Sequence, residues 1–525
     1  MHRRLPSFGS DDRFTAALDW LSGAIARRFA VDRRALAAFR IALGLLLLAD
    51  LALRSRNLKA FYTDAGVLPR SALYSDYGAV YSLHAVSGEA WAIGLLFVVA
   101  AGFAAAMVVG YRTRLATVCS WLLLVSLHVR NPMVLNGGDV LFRMLLFWAM
   151  FLPLGERWAI DADHTDRARA TVSNVATMAL LCQVVAMYVV NALHKTEGEM
   201  WLNGEAVVYV FSLDYQFTYL LGNALAEYHD LLSIMTYVWI ALVVCSPLLL
   251  VLTGLPRAAL ASAFVGMHLG MLLTMRIGLF PLVVVAAFVP FYPPVVWNGA
   301  SALAARAGLA EPAGRWGRRL ATAVPDGPDS RSDALAAPVP TSREIRSAVA
   351  DARKRSRTLF TTALPAVFLV LVVLSNAQAV GYTQVPDPGE SALEAAQAEQ
   401  HWRMFAPEPL QTDGWYVVPA TLENGSTVDA MYESEVSWEP PPSETAVYPN
   451  SRWRKYLSNV YGADNENHQS YLSNYLCQRW NGSHETDIEE LELYYVRQSS
   501  QPYNETEPTS EIMIQQYDCG GDFVQ

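Results

Sequence analysis

Lys195 closes the apolar run Met187-Tyr-Val-Val-Asn-Ala-Leu-His194 and is followed by Thr-Glu-Gly-Glu-Met-Trp-Leu-Asn-Gly. A lysine at such a boundary has two readings. It can snorkel, laying its methylenes along apolar surface and keeping its ammonium in water. If it is buried instead, desolvation favours the neutral amine, which is the form that acts as a general base near neutral pH. His268 stands inside another apolar run. It is either a neutral histidine bonded to a neighbouring helix or a hydrogen-bond partner for a lipid-soluble substrate. Asp139 and Arg143 are four residues apart, on one helical face, where they can neutralise each other. Asp64 and Arg276 are expected at the same level and are given no chemistry. The chain has no CxxC, no HExxH and no other metal-ligand spacing, so no metal is expected. It also lacks a glycine-rich phosphate loop, which leaves nucleotide-driven transport without support.

The elements that must position these residues are membrane helices. Of 525 residues, 53% are hydrophobic and only 17% are charged, and the mean hydropathy is positive. This is too apolar for an ordinary soluble chain of that length. Apolar stretches lie around 36–53, 88–109, 114–128, 140–154, 172–193, 231–253, 257–275, 278–296 and 359–380, where each crossing needs about 20 residues. The expected fold is therefore mainly α, a polytopic membrane helix bundle of about nine helices with a small extracellular α+β C-terminal domain.

Charge sets the expected orientation. Arg3, Arg4, Arg27, Arg28, Arg33 and Arg34 place the N-terminal segment 1–34 in the cytoplasm of a multi-pass cell-membrane protein. The main transmembrane domain would span 35–296. A basic linker, 297–358, ends in Arg353, Lys354, Arg355 and Arg357 and belongs to the cytoplasm. After the last helix, 359–380, residues 381–525 turn acidic and polar and fall outside the cell. The net charge of -10 thus reports topology, and no nucleic-acid partner is expected.

The tail carries sequons at Asn424, Asn481 and Asn504, which would be glycosylated only on an external surface. Cys477 and Cys519 share this polar region and could form one disulfide, whereas Cys119, Cys182 and Cys245 fall in apolar runs. Trp415-Tyr-Val-Val and Glu492-Leu-Tyr-Tyr-Val suggest strands, Glu423-Asn-Gly-Ser suggests a turn, and 453–460 and 468–479 suggest helices.

These residues resemble those of the vitamin K-dependent gamma-carboxylases. The segment from Tyr188 to Trp201 is similar to a family segment in which an aromatic-apolar run leads to two lysines and then a tryptophan and a glycine. Lys195 corresponds to the second lysine, and His194 stands where the first would be. His268 followed by Ile277-Gly-Leu-Phe-Pro281 resembles the family's histidine at the same distance before Ile-Gly-Met-Phe-Pro. Gly110-Tyr-Arg, Asn136-Gly-Gly-Asp and Gly155-Glu-Arg-Trp-Ala-Ile-Asp161 match more loosely. The wider family of horizontally transferred transmembrane-domain (HTTM) proteins supplies Phe61-Tyr-Thr-Asp-Ala-Gly-Val-Leu-Pro69 and Gln400-His-Trp-Arg-Met-Phe-Ala-Pro407.

The resemblance implies an enzyme that uses reduced vitamin K or menaquinone as co-substrate together with O2 and CO2. Lys195 would deprotonate the naphthohydroquinone with His268 as its catalytic companion, while Asn136, Asp139, Arg143 and Trp201 would line the quinone site. Oxygen addition would yield the epoxide and a strong base that removes a γ-proton from glutamate, and CO2 would trap the carbanion. Partners would be membrane lipid, the naphthoquinone and an exported Glu-containing protein or peptide. In the family the 136–139 region carries a histidine for carboxylation, whereas this chain has Gly138 and Asp139. The alternative is accordingly a non-carboxylating quinone-binding or structural membrane protein of the same fold.

Overall fold

The computed structural model describes residues 20, 22–78, 81–162, 170–308, 355–356, 358–462, 466–503 and 508–521. Most of segment 1–34, residues 309–354 of the basic linker, and Asn504 lie outside these.

Each of the nine apolar stretches forms helix. In chain order they are α1 (Arg33–Ser55), α2 (Ala90–Val109), α3 (Thr113–Arg130), α4 (Gly137–Ala149), α5 (Val175–Lys195), α6 (His229–Val244), α7 (Gly254–Thr274), α8 (Phe280–Phe288) and α9 (Leu364–Ala379). The expectation of nine crossings needs correction. Among the described residues five helical segments are long and apolar enough to cross a membrane: α1, α2, α5, α7 and Leu359–Ala379, which contains α9. The count becomes six if the bent pair Phe280–Phe291 and Pro294–Arg306 is one span. That pair turns by 104° at Pro293 and Pro294, where the missing N–H groups cannot continue a helix. α4 has 13 residues and so reaches only about 20 Å at 1.5 Å per residue.

Burial explains the shortness of α4. Every residue from Leu141 to Met150 is buried, so this helix has no lipid face and serves as the centre around which the others pack. α1 lies against α2 at close range, because a Cβ on Gly44 would stand 2.9 Å from the Ala104 carbonyl oxygen. Only a residue without a side chain permits that approach.

The C-terminal region adds β1 (Thr412–Val417), β2 (Pro419–Leu422), β3 (Thr427–Asp429), α10 (Ser451–Tyr461), α11 (Asn467–Asn481), β4 (Ile488–Ser499) and β5 (Thr509–Asp518). All pairings are antiparallel: β4 carries β5 along one edge and β1 and β2 along the other, and β3 closes on β2. The β2–β3 hairpin turns at Glu423-Asn-Gly-Ser, closed by an N–H bond from Leu422 to the Ser426 carbonyl. Asn424 is exposed at its tip, and its carboxamide oxygen accepts from the Ser426 N–H and hydroxyl. Asn481 ends α11, and its oxygen accepts from the Ile488 N–H. The Cys477 and Cys519 sulfurs are bonded, tying α11 to the chain beyond β5.

This unit shares one apolar core with the ends of the helices. Phe61 and Trp453 rings stand 4.7 Å apart, Asn459 Nδ2 donates to the Met133 carbonyl at 2.7 Å, and Trp453 Nε1 donates to Asn57 at 3.0 Å. The 61–70 loop, the 129–139 loop, the end of α5 and the tail therefore meet at one end of the bundle.

Candidate functional site

The site begins on one face of α5. Tyr188, Asn191 and Lys195 are spaced by three and four, so their side chains stack along one stripe. Asn191 and Lys195 point at Ala398–Pro407, a strap that enters the bundle from the C-terminal region, whereas Tyr188 faces His268. The strap is anchored by Gln400, which exchanges amide hydrogen bonds with Gln183 of α5 at 2.7 and 3.1 Å and accepts from Trp402 Nε1 at 3.0 Å. Asn191 Nδ2 donates to the Trp402 and Met404 carbonyls. Lys195 Nζ donates to the Met404 carbonyl at 2.9 Å and the Phe405 carbonyl at 3.3 Å. Below it lies Trp201, whose ring centroid is 3.3 Å from Nζ and whose Nε1 donates to the same Phe405 oxygen at 2.9 Å.

Lys195 is 1% exposed, so it does not snorkel. Among the described residues no carboxylate pairs with it; its contacts are two carbonyls and an aromatic face. His268 is equally buried on α7. The Phe264 carbonyl, which can only accept, takes Nδ1–H at 2.9 Å. That assigns Nε2 as acceptor for the Tyr188 hydroxyl at 3.3 Å. Trp239 and Phe280 rings pack edge-on against the imidazole.

Lys195, Tyr188, Asn191, Trp201 and His268 all line one cavity of about 630 Å³. Asn136 lines it too, with Gly137 and Gly138. Asn136 caps α4, accepting from Gly138 and Asp139 N–H groups, while Asp139 Oδ2 accepts from the Asn136 N–H. That reciprocal box swings the Asp139 carboxylate toward the N-terminus of α4, away from Arg143 one turn further on.

The Asp139–Arg143 pairing is therefore replaced by another. Asp139 Oδ1 accepts from Arg54 Nη2 at 2.7 Å and from Arg452 Nη2 at 3.1 Å. Asp50 accepts from Arg54 Nε at 2.7 Å and from Arg452 Nη2 at 2.6 Å. Two guanidinium groups and two carboxylates thus close a neutral square between the membrane helices and the C-terminal unit. Asp139 faces a separate, smaller pocket of about 160 Å³, not the Lys195 cavity. Arg143 lines neither pocket and leaves its Nε buried without a partner. Asp64 pairs with Arg70 at 2.7 Å and Arg276 with Glu444 at 3.3 Å, so these two do not form one network.

Several residues of the site escaped the sequence reading. The Met404 and Phe405 carbonyls carry no side-chain signal, although the Gln400–Pro407 motif was the available marker. Arg454 and Lys455 of α10 line the cavity at its other end. Burial lowers the Arg454 guanidinium to about 10. It lowers the Lys455 amine too, with the neighbouring Arg454 charge adding to the effect. Asp413 on β1 holds the segment before α6, accepting from the Tyr215 N–H at 2.8 Å. Burial raises its carboxyl to about 7, against the opposing effect of the Tyr215 and Gly414 N–H bonds.

Chemically, the arrangement sets a lysine amine, a tyrosine–histidine pair and aromatic faces around an apolar space. Such a cavity suits an apolar ring carrying a few polar oxygens. The family model described as the HTTM domain matches residues 29–297. No curated protein matches the chain, and no solved structure does.

Proposed function

The chain belongs to the HTTM-domain family, a domain found in vitamin K-dependent carboxylase-like proteins, and from this premise we propose that it is a membrane enzyme oxidising a reduced naphthoquinone with O2. One observation carries the reading: Lys195 is buried, with no carboxylate partner among the described residues, on the wall of the cavity that also holds Tyr188, His268 and Trp201. The overall chemistry is that the quinol and O2 give the quinone epoxide and water, a conversion that can be coupled to addition of CO2 at a glutamate γ-carbon.

In this reading Lys195 receives the proton of the quinol hydroxyl nearest the strap. The Met404 and Phe405 carbonyls hold the amine in place and fix its lone-pair direction. Tyr188 bonds the opposite oxygen of the ring, its hydroxyl oriented by His268 Nε2, while the histidine's Nδ1 is held by Phe264. Trp201 and Trp239 supply flat apolar walls, and the apolar lining disfavours bulk water that would quench a strong base. The C-terminal unit lies outside the cell, where the exposed Asn424 of its hairpin sequon is open to modification and where an exported Glu-containing protein or peptide could reach the cavity.

A second reading has its own support. The cavity wall at 136–138 offers the Asn136 side chain and two glycines, and Asp139 is committed to Arg54 and Arg452. His128 Nε2 stands 3.7 Å from Asp139 and 3.1 Å from Arg54 but is not among the residues lining the Lys195 cavity, which favours quinone oxidation without carboxylation. Purified protein in lipid is supplied with reduced menaquinone, O2, labelled bicarbonate and a Glu-rich peptide, and epoxide and fixed label are followed separately. Both products support a carboxylase. Epoxide alone supports the uncoupled oxygenase, and neither, with quinone bound, contradicts both enzymatic readings.

A further inference from the structure

The Lys195 cavity is open on the side where α6 and α7 face away from the bundle. Gly266 and Gly270 of α7 line the cavity and are also exposed. A Cβ built on either meets nothing within 4 Å. Paired glycines four apart in a membrane helix usually mark close packing against another helix. Here no element among the described residues occupies that position, and the two glycines border an opening instead.

The surroundings of the opening are those of a lipid-facing surface. On α7, a candidate membrane span, Leu269 and Leu273 are 41% and 50% exposed; on α6, Ile234 and Val238 are 59% and 51% exposed. Met235 and Trp239 of α6 and Met267 and Met271 of α7 frame the opening from within. Methionine adapts to irregular apolar shapes better than branched side chains do.

The far end of the cavity has the opposite character. Arg454 is 8% exposed, its guanidinium lies 4.2 Å over the Phe217 ring, and its Nε is buried with no hydrogen-bond partner. One cavity is therefore bordered both by the unsatisfied Arg454 Nε and by an apolar gap beside exposed helix faces. That suits a ligand with a polar head and a long hydrocarbon tail.

We propose that Gly266 and Gly270 form a lateral window through which the tail of the quinone leaves the cavity for the bilayer, making the site selective for quinones with extended polyprenyl tails. This rests on the quinone reading above. Both glycines lie in regular helix, so a leucine at either fits the backbone and projects its branch into the gap. The head-group contacts at Lys195 and Tyr188 are untouched.

The test uses wild type, Gly266→Leu and Gly270→Leu in lipid nanodiscs, with quenching of tryptophan fluorescence as the binding readout, since Trp201 and Trp239 line the cavity. Two oxidised probes are titrated: menadione, which has no tail, and a long-tailed menaquinone. The expected result is that each leucine weakens the menaquinone by about tenfold, the loss of roughly two methylene contacts, and leaves menadione unchanged. Equal effects on both probes, or no effect on either, would overturn the proposal. So would a change in oligomeric mass with the leucines, because the glycines would then be packing against a second copy. Window-dependent menaquinone binding without any epoxide from the reduced form would sink the enzymatic reading and leave the window standing. Failure of wild type to bind either probe would remove the quinone and the window's occupant together.

Discussion

Replacing Arg452 with methionine should unpin the C-terminal unit from the membrane helices. Arg452 reaches Asp50 at 2.6 Å and Asp139 at 3.1 Å, and Arg54 binds the same two carboxylates. The side chains of Asp50, Arg54 and Asp139 are 4%, 0% and 7% exposed. With two cations against two carboxylates the square is neutral, and removing one cation leaves a buried carboxylate uncompensated. Breaking such a pair from one side costs roughly 3–5 kcal/mol. Arg452→Met paired with Asp50→Asn restores neutrality, so the two changes together should cost less than their sum by at least about 1 kcal/mol. Trp453 is the natural reporter, because its Nε1 donates to Asn57 across the same boundary and its emission should shift when the unit undocks. Thermal unfolding of the single and double variants in detergent, followed by that emission, gives the cycle. A cost below about 1 kcal/mol for Arg452→Met, or strictly additive effects, would refute the square as the element joining the two parts.

Further expectations follow from other buried groups. Asp413 has a carboxyl raised to about 7 from 3.8. Its stabilising contribution is therefore complete below pH about 4 and is lost as pH rises through 7, with Asp214 the nearest like charge. Unfolding of wild type should show stability falling from about pH 4 to about pH 7, and Asp413→Asn should flatten that slope whatever it does to the absolute level. Gln400→Ala leaves the Gln183 amide and the Trp402 Nε1–H without their partner, at roughly 1–3 kcal/mol for each orphaned group. Because the strap then loosens, substrate turnover should fall more than the binding of an oxidised quinone does, and equal losses would argue against the strap positioning Lys195. Replacing Cys477 and Cys519 with alanine opens a loop of sequence separation 42, worth roughly 4 kcal/mol in chain entropy. Denaturant titration of the full chain should place that loss in the transition of the C-terminal unit.

The parts of this molecule legible in the sequence are those written in side-chain pattern. Nine apolar stretches became helices because lipid or a packed core rewards continuous hydrophobic segments. The Glu423-Asn-Gly-Ser turn sits where its residues allow the backbone to reverse, and the strands at Trp415 and Glu492 form where aromatic and β-branched residues run together. Lys195 and His268 stood out because ionisable groups in apolar runs are rare. What was hidden depends on contacts between distant positions or on the backbone alone. Asp139 looked suited to Arg143 by helical spacing, but its capping bond to Asn136 turned it toward Arg452, 313 residues away. The count of crossings failed where α4 gains its burial from protein instead of lipid, a distinction that hydropathy cannot draw. The carbonyls that hold Lys195 belong to a strap whose course is set by amide bonds from Gln400, and no composition rule places it there.

The central claim is that Lys195 is the base of a quinol-oxidising cavity. The measurement that tests it most directly is epoxide formation from reduced menaquinone in lipid by wild type and Lys195→Ala, with binding of the oxidised quinone measured on both. The account predicts that wild type forms epoxide while the variant binds the quinone and forms at least about 100-fold less. Epoxide formation undiminished in Lys195→Ala would contradict it, as would a wild type that binds the quinone and produces none.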